Sequence, residues 1–210
     1  ECVAVGHDVM ESSNATGNTA VGFEAMKPLS TGTHNTAIGH NTLRSCTTGI
    51  TNVALGVNAL YAVTTSSNNT GVGADAGQSI TTGDNNTASG YGALTDNTEG
   101  GQNTAMGRYA LWKNQTGNQN TAIGDYAMKQ FRAAGGTYNT AVGRSSQRGP
   151  NSDSEYYSGS YNTSVGSGSL KVISTGSNNT AVGYYSLNAS SNLLTPKTLF
   201  LSSIKNIPVL

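Results

Sequence analysis

The phrase NTAVGFEAM at residues 18–26 returns as NTAIGHNTL at 35–43, NTAMGRYAL at 103–111, NTAIGDYAM at 120–128 and NTAVGYYSL at 179–187. Aligned on its glycine, it recurs at Gly6, Gly22, Gly39, Gly56, Gly73, Gly90, Gly107, Gly124, Gly143, Gly166 and Gly183. The spacing is 17 residues seven times, with single intervals of 16, 19 and 23. A unit this short cannot bury its own apolar face. Self-similarity at a fixed period therefore means neighbouring units stacked into one continuous core.

The unit reads G-x-x-A-L-x-x-x-T-T-G-x-x-N-T-A-V. Asn, Thr and Gly dominate it and are poor helix formers. The N-T-A-V segment predicts a short strand, G-x-x-A-L a turn running into a second short strand, and T-T-G another turn. A second glycine seven residues before the anchor (Gly32, Gly49, Gly83, Gly100, Gly117, Gly136, Gly159, Gly176) supplies that turn. The expected fold is an all-β parallel β-solenoid of about eleven rungs, spaced roughly 4.8 Å and so about 50 Å long. Residues 1–187 form the repeat domain, and 188–210 a non-repeat segment that either caps the rod or pairs with a neighbouring molecule.

Columns follow from the alignment. Just before the anchor glycine (position −1) stand Val21, Ile38, Leu55, Ile123, Val142, Val182 and their equivalents; four after it (+4) stand Leu60, Leu94, Leu111 and theirs. These two aliphatic ladders are expected to face each other as the core. Position −2 is alanine in nearly every unit, and by the period-2 rule it points away from the valines. That smallness suits either tight packing within the chain or a contact face between chains around an axis. Asn35, Asn103, Asn120 and their equivalents at −4 are expected to form a ladder of stacked amides. The threonines at −3 share the valine side; a regular hydroxyl array raises an ice-binding reading.

Composition narrows the function classes. Charged residues are 10% and hydrophobic residues 35%, both low for a globular domain. Eleven basic and eleven acidic side chains, read as scattered, leave no patch for nucleic acid. No apolar run is long enough for membrane insertion as a helix. No catalytic or cofactor pattern emerges, so an enzyme is not expected. His7 and His40 share a column but stand two rungs apart, too far to share a metal. Asp8 and Glu24 are carboxylates on consecutive rungs, with Asp75 in the same column. Cys2 and Cys46 are too far apart to pair. Asn14, Asn68, Asn85, Asn114, Asn178 and Asn188 begin glycosylation triplets that the repeat generates of itself.

Units such as GSNNTAVGYYSL (176–187) and GNQNTAIGDYAM (117–128) resemble the repeats of viral tail fibres and bacterial surface proteins that end in an endosialidase-type chaperone. More distantly they are similar to trimeric autotransporter adhesin heads, which use a shorter period. The resemblance covers residues 1–187. It implies an extracellular fibre, on a cell surface or virion, whose partner is itself, as a homotrimer or end-to-end filament. By analogy with the adhesin heads it implies a left-handed coil. No chaperone domain follows the repeats within these residues, so trimerisation by that route is not implied.

The 23-residue interval carries an inserted stretch, RSSQRGPNSDSEYYSGSY (144–161). Insertions in solenoids emerge as loops on one face. Arg148, Tyr156, Tyr157 and Tyr161 make this a candidate binding loop, with a cell-surface glycan as the candidate ligand. The functional expectation is a structural fibre component concerned with attachment; the alternative is a glycan-binding or ice-binding module.

Overall fold

The computed structural model describes residues 1–11, 14–131, 136–149, 158–172 and 175–187, and the backbone of 199–201. Its strands are β1 (Val3–His7), β2 (Thr19–Phe23), β3 (Thr36–Ile38), β4 (Val53–Leu55), β5 (Thr70–Val72), β6 (Thr87–Ser89), β7 (Thr104–Met106), β8 (Thr121–Ile123), β9 (Thr140–Val142), β10 (Thr163–Val165), β11 (Thr180–Val182) and β12 (Leu199–Leu201). They form one sheet in chain order, and each pairs with the next in parallel. The fold is the all-β solenoid that the repeat predicts.

Register never slips. Thr121 opposes Thr140 across the 19-residue interval, and Thr140 opposes Thr163 across the 23-residue one. Both sets of extra residues are accommodated outside the pairing. The non-repeat segment contributes β12, in which Leu199, Phe200 and Leu201 oppose Thr180, Ala181 and Val182 of the same chain.

The asparagine column holds the rungs together. Asn35 Oδ1 accepts from the backbone N–H of Asn52 at 2.9 Å and from its Nδ2 at 3.1 Å. Asn35 Nδ2 donates to Asn18 Oδ1 at 3.2 Å and to the Gly49 carbonyl at 2.8 Å. Asn103 repeats the pattern on Asn86 and Gly117, and Asn139 on Asn120 and Gly159. The Asn120 backbone N–H donates to Asn103 Oδ1, and its Nδ2 donates to the Gly136 carbonyl. These side chains are 0–1% exposed.

The core differs from the expected pairing of valine with leucine. Val21 and Val142 are half-buried, while Ile38, Leu55, Ile123 and Val182 are exposed, Leu55 at 46%. From β2 onward the alanines at −2 are 0% exposed; only Ala4, in the first rung, is open to solvent. The inward side of each strand is therefore the alanine side, and alanine packs within the chain instead of forming a contact face between chains. The reason is the narrowness of the rung. Leu60, Leu94 and Leu111 project inward from the opposite side, and a further column at +7 (Leu29, Cys46, Val63, Ile80, Phe131) adds to them. Little room is left opposite: a Cβ added at Gly71, in the alanine column, would lie 2.8 Å from Leu60 Cγ.

Among the described residues there is also one strand per rung, not two. Positions +3 and +4, as in Ala110 and Leu111, are both buried, which the alternation of a strand forbids. The chain achieves this with left-handed residues at +2 and +4, such as Tyr109 (φ 56°) and Leu111 (φ 49°). Each such turn still bonds to its neighbours: the Tyr109 N–H donates to the Tyr91 carbonyl one rung before, and the Leu111 N–H to the Ala127 carbonyl one rung after. The anchor position needs glycine for a second reason besides its φ of 127° at Gly90: a Cβ there would meet the Gly107 backbone at 2.8 Å.

Ala105→Val should cost about 1–3 kcal/mol through overpacking, whereas Met106→Thr, one residue on and facing out, should stay within about 0.5 kcal/mol; urea denaturation of both decides which face is the core. Gln147 occupies the leucine column, fully buried, with neither amide atom bonded. Gln147→Leu should therefore raise stability by about 1–3 kcal/mol in the same assay.

Candidate functional site

Beyond the anchor glycine the chain turns, and positions +1, +2 and +5 stand on the flank of the rod. Each lies above its counterpart one rung away, so large side chains in these columns meet face to face. In the middle rungs they are aromatic. Tyr109 lies 5.2 Å from Tyr91 edge-on, 5.2 Å from Trp112 and 5.7 Å from Tyr126 in a stack. Cations from +1, +5 and +6 cover these rings. Lys113 Nζ is 4.1 Å from the Trp112 centroid, and Lys129 Nζ lies within 4.7 Å of Trp112, 5.0 Å of Tyr126 and 5.6 Å of Tyr109. The Arg108 guanidinium lies 4.8 Å from Tyr126, and that of Arg148 lies 5.5 Å from the same ring.

Carboxylates tie part of this charge down. Arg108 grips Asp125 through two hydrogen bonds of 2.9 and 3.3 Å, which holds its guanidinium above its ordinary pKa. Arg144 approaches Asp125 at 3.8 Å, and Lys113 lies 3.5 Å from Asp96. Arg148 Nε is buried without a hydrogen-bond partner. The flank between Gly90 and Gly149 is thus an aromatic shelf with a net cationic rim, suited to anionic or sugar-like ligands by stacking and charge-assisted bonding.

The loop reading is corrected by this arrangement. Residues 144–149 and 158–161 belong to the rungs, Gln147 as a core residue, so the predicted loop is too wide. Arg148 stands in the +5 column on Tyr126. Tyr161 stands five residues before its anchor glycine (position −5), stacked on Tyr138 in the same column at 5.0 Å and 7°. These two do not form one cluster. Tyr156 and Tyr157 lie outside the described residues. The shelf itself (Tyr91, Tyr109, Trp112, Tyr126, Lys113, Lys129) was legible as recurring aromatic and basic residues at +1, +2, +5 and +6, had the outward columns been read for content.

Other candidates resolve as structure. Lys27 Nζ bridges Asp8 (2.7 Å) and Glu24 (3.3 Å), and Arg44 Nε meets Glu24 at 2.7 Å. Lys27 holds the Asp8 carboxyl, and Arg44 then Lys27 the Glu24 carboxyl, below their ordinary range. Both are thus kept ionised, the opposite of what a general acid needs. Phe23 stacks between His7 and His40 at 5.4 and 5.2 Å. Among the described residues no group of three His, Cys, Asp or Glu is placed to hold a metal. Asn114 is buried and donates to Asn97 Oδ1, which removes it as a glycan acceptor, while Asn14, Asn68, Asn85 and Asn178 are exposed. Asn188 lies outside the described residues. The threonines at −3 are for the most part half-buried and stand beside the exposed −1 column.

No family model, curated protein or solved structure matches the chain.

Both cysteines are free, Cys2 exposed and Cys46 buried. Burial pushes the Cys46 thiol from 9.0 to about 11. A raised thiol pKa supports the fold below pH 9 and loses that support as pH climbs toward 11. At pH 8 a thiol-reactive dye should label Cys2 at once and Cys46 only after denaturant is added; two equally fast thiols would contradict the burial.

Proposed function

We propose that this chain is a rigid structural rod of an extracellular or virion-borne fibre or filament, concerned with attachment and acting alongside further copies of itself. The observation that carries the reading is the unbroken register from β1 to β11, which survives two interruptions of the repeat. A stack in which every rung bonds to both neighbours bends little and gains length in increments of about 4.8 Å. That is useful for reach and of little use for closing around a substrate. The resemblance of the units to tail-fibre and adhesin repeats supports the same reading.

A second reading is a glycan- or ice-binding module. The aromatic shelf at Tyr109, Trp112 and Tyr126 favours the glycan version, and the regular Thr–Val face the ice version.

Negative-stain microscopy of the purified chain should show rods that associate laterally or end to end. Isolated particles that never associate, together with retention on an acidic-glycan array abolished by Trp112→Ala, would favour the binding module. Removal of residues 150–155 should leave rod assembly intact and abolish any attachment that depends on the inserted segment.

A further inference from the structure

Among the described residues nothing packs on the outward face of the sheet, which is apolar. Position −1 presents ten aliphatic side chains in eleven rungs, among them Ile38 at 41%, Leu55 at 46% and Met106 at 44% exposed. The threonine column runs beside it. Eleven rungs at about 4.8 Å and a width of about 10 Å give a flat strip of roughly 500 Å². Exposed apolar strips of this size mark interaction surfaces, and two such strips together reach the roughly 1,000 Å² that a specific interface needs.

Charge decides the occupant and its orientation. Residues 1–99 contain two basic and eight acidic side chains, a net of −6; residues 100–210 contain nine basic and three acidic, a net of +6. Among the described residues the same charges are segregated along the rod: those up to 99 keep the net of −6, and those beyond 100 comprise six basic side chains and Asp125, a net of +5. The rim beside the face leans the same way: in the early rungs Asp8, Glu24 and Asp75 stand at +2, with Lys27 and Arg44 paired to the first two, and in the later rungs Arg108 and Arg144 stand at +1 on either side of a single Asp125. The change of sign falls next to β6, the sixth of eleven repeat strands. Ser89 of that strand is the single polar residue in the −1 column.

We propose that the Thr–Val face pairs with the same face of a second copy, the two rods running antiparallel about a two-fold axis that lies along the strand direction near β6. Parallel pairing would set each acidic half against another acidic half. Antiparallel pairing sets acidic against basic over the whole length and brings the same rim of both copies together. The pair is isologous, and an isologous contact must be self-complementary, which a flat ladder with a sign reversal at its centre satisfies. This rests on the fibre reading and names the first step of its assembly.

The test uses the whole chain. Its mass by light scattering should approach twice 21.5 kDa at high concentration. Ile123→Lys should return it to the monomer, and raising salt from 0.05 to 0.5 M (about 14 and 4 Å of screening length) should weaken pairing roughly tenfold. For orientation, single cysteines are placed at Val21, Ser89 and Val165 in a Cys2→Ser background and treated with a bismaleimide spanning roughly the 10 Å between packed sheets. Ser89→Cys should cross-link to itself. Val21→Cys and Val165→Cys should not do so alone but should cross-link when mixed. Self-cross-linking at all three positions would overturn the antiparallel arrangement and leave the fibre reading standing. A monomeric mass at every concentration, with circular dichroism unchanged, would overturn the pairing altogether. Association unaffected by Ile123→Lys would place the contact on another face and overturn it too.

Discussion

A carboxamide shut away from water has to find hydrogen-bond partners inside the protein or cost the fold one to several kcal/mol. The Asn18–Asn179 column meets that demand only if successive rungs sit one directly above another. From Asn18 to Asn162 each Oδ1 accepts from the N–H of the next asparagine, and all but Asn52 and Asn103 also from its Nδ2; each Nδ2 reaches a carbonyl of the rung beyond, and only at the end of the column is an oxygen, Asn179 Oδ1, left without a partner. A shift of one residue would break all of these bonds and turn every side chain to the opposite face of the strand. The amide ladder thus acts as a register lock. It explains why the 19- and 23-residue intervals are accommodated without disturbance of the sheet.

With register fixed, the rest follows from how little space a rung encloses. Strands of three residues contribute one inward side chain each, and that side chain is alanine or smaller apart from Ser164. The bulk comes from turns, where left-handed residues aim two consecutive side chains inward. A non-glycine residue in that conformation costs about 1–2 kcal/mol. At Leu60, Leu94 and Leu111 the cost is offset by complete burial of a large side chain and by the backbone bond that each N–H donates to the next rung. Serines that replace alanine near the C-terminal end keep the balance by bonding each other, as Ser146 does with Ser164 at 2.6 Å and Ser169 with Ser186 at 2.9 Å.

A rod built this way leaves its outer columns free of packing duty, and those columns are where the molecule varies. One flank carries histidine and phenylalanine, then tyrosine and tryptophan under lysine and arginine. The sheet face carries threonine and aliphatic residues throughout. Because stacking repeats every column at one short interval, a single substitution pattern in the sequence becomes a continuous stripe on the surface. Stacked rings, cation–π contacts and the axial separation of acidic from basic residues all arise in that way.

The repeat period, the parallel solenoid, the asparagine column and the turn glycines were legible in the sequence, because each depends only on composition at a fixed spacing. Which face of the strand points inward was not. Valine is the more apolar residue and alternation alone cannot rank the two sides; the width of the closed rung does, and it admits alanine and expels valine. The inserted loop was drawn too wide at 144–161 although Gln147 already counts as a +4 residue by spacing; Tyr161, five before Gly166, likewise occupies an ordinary column. The aromatic shelf joins Tyr91, Tyr109, Trp112 and Tyr126, up to 35 residues apart in sequence. Spacing alone fixed how often the chain turns, while the volume inside each turn decided what it buries and what it offers to a partner.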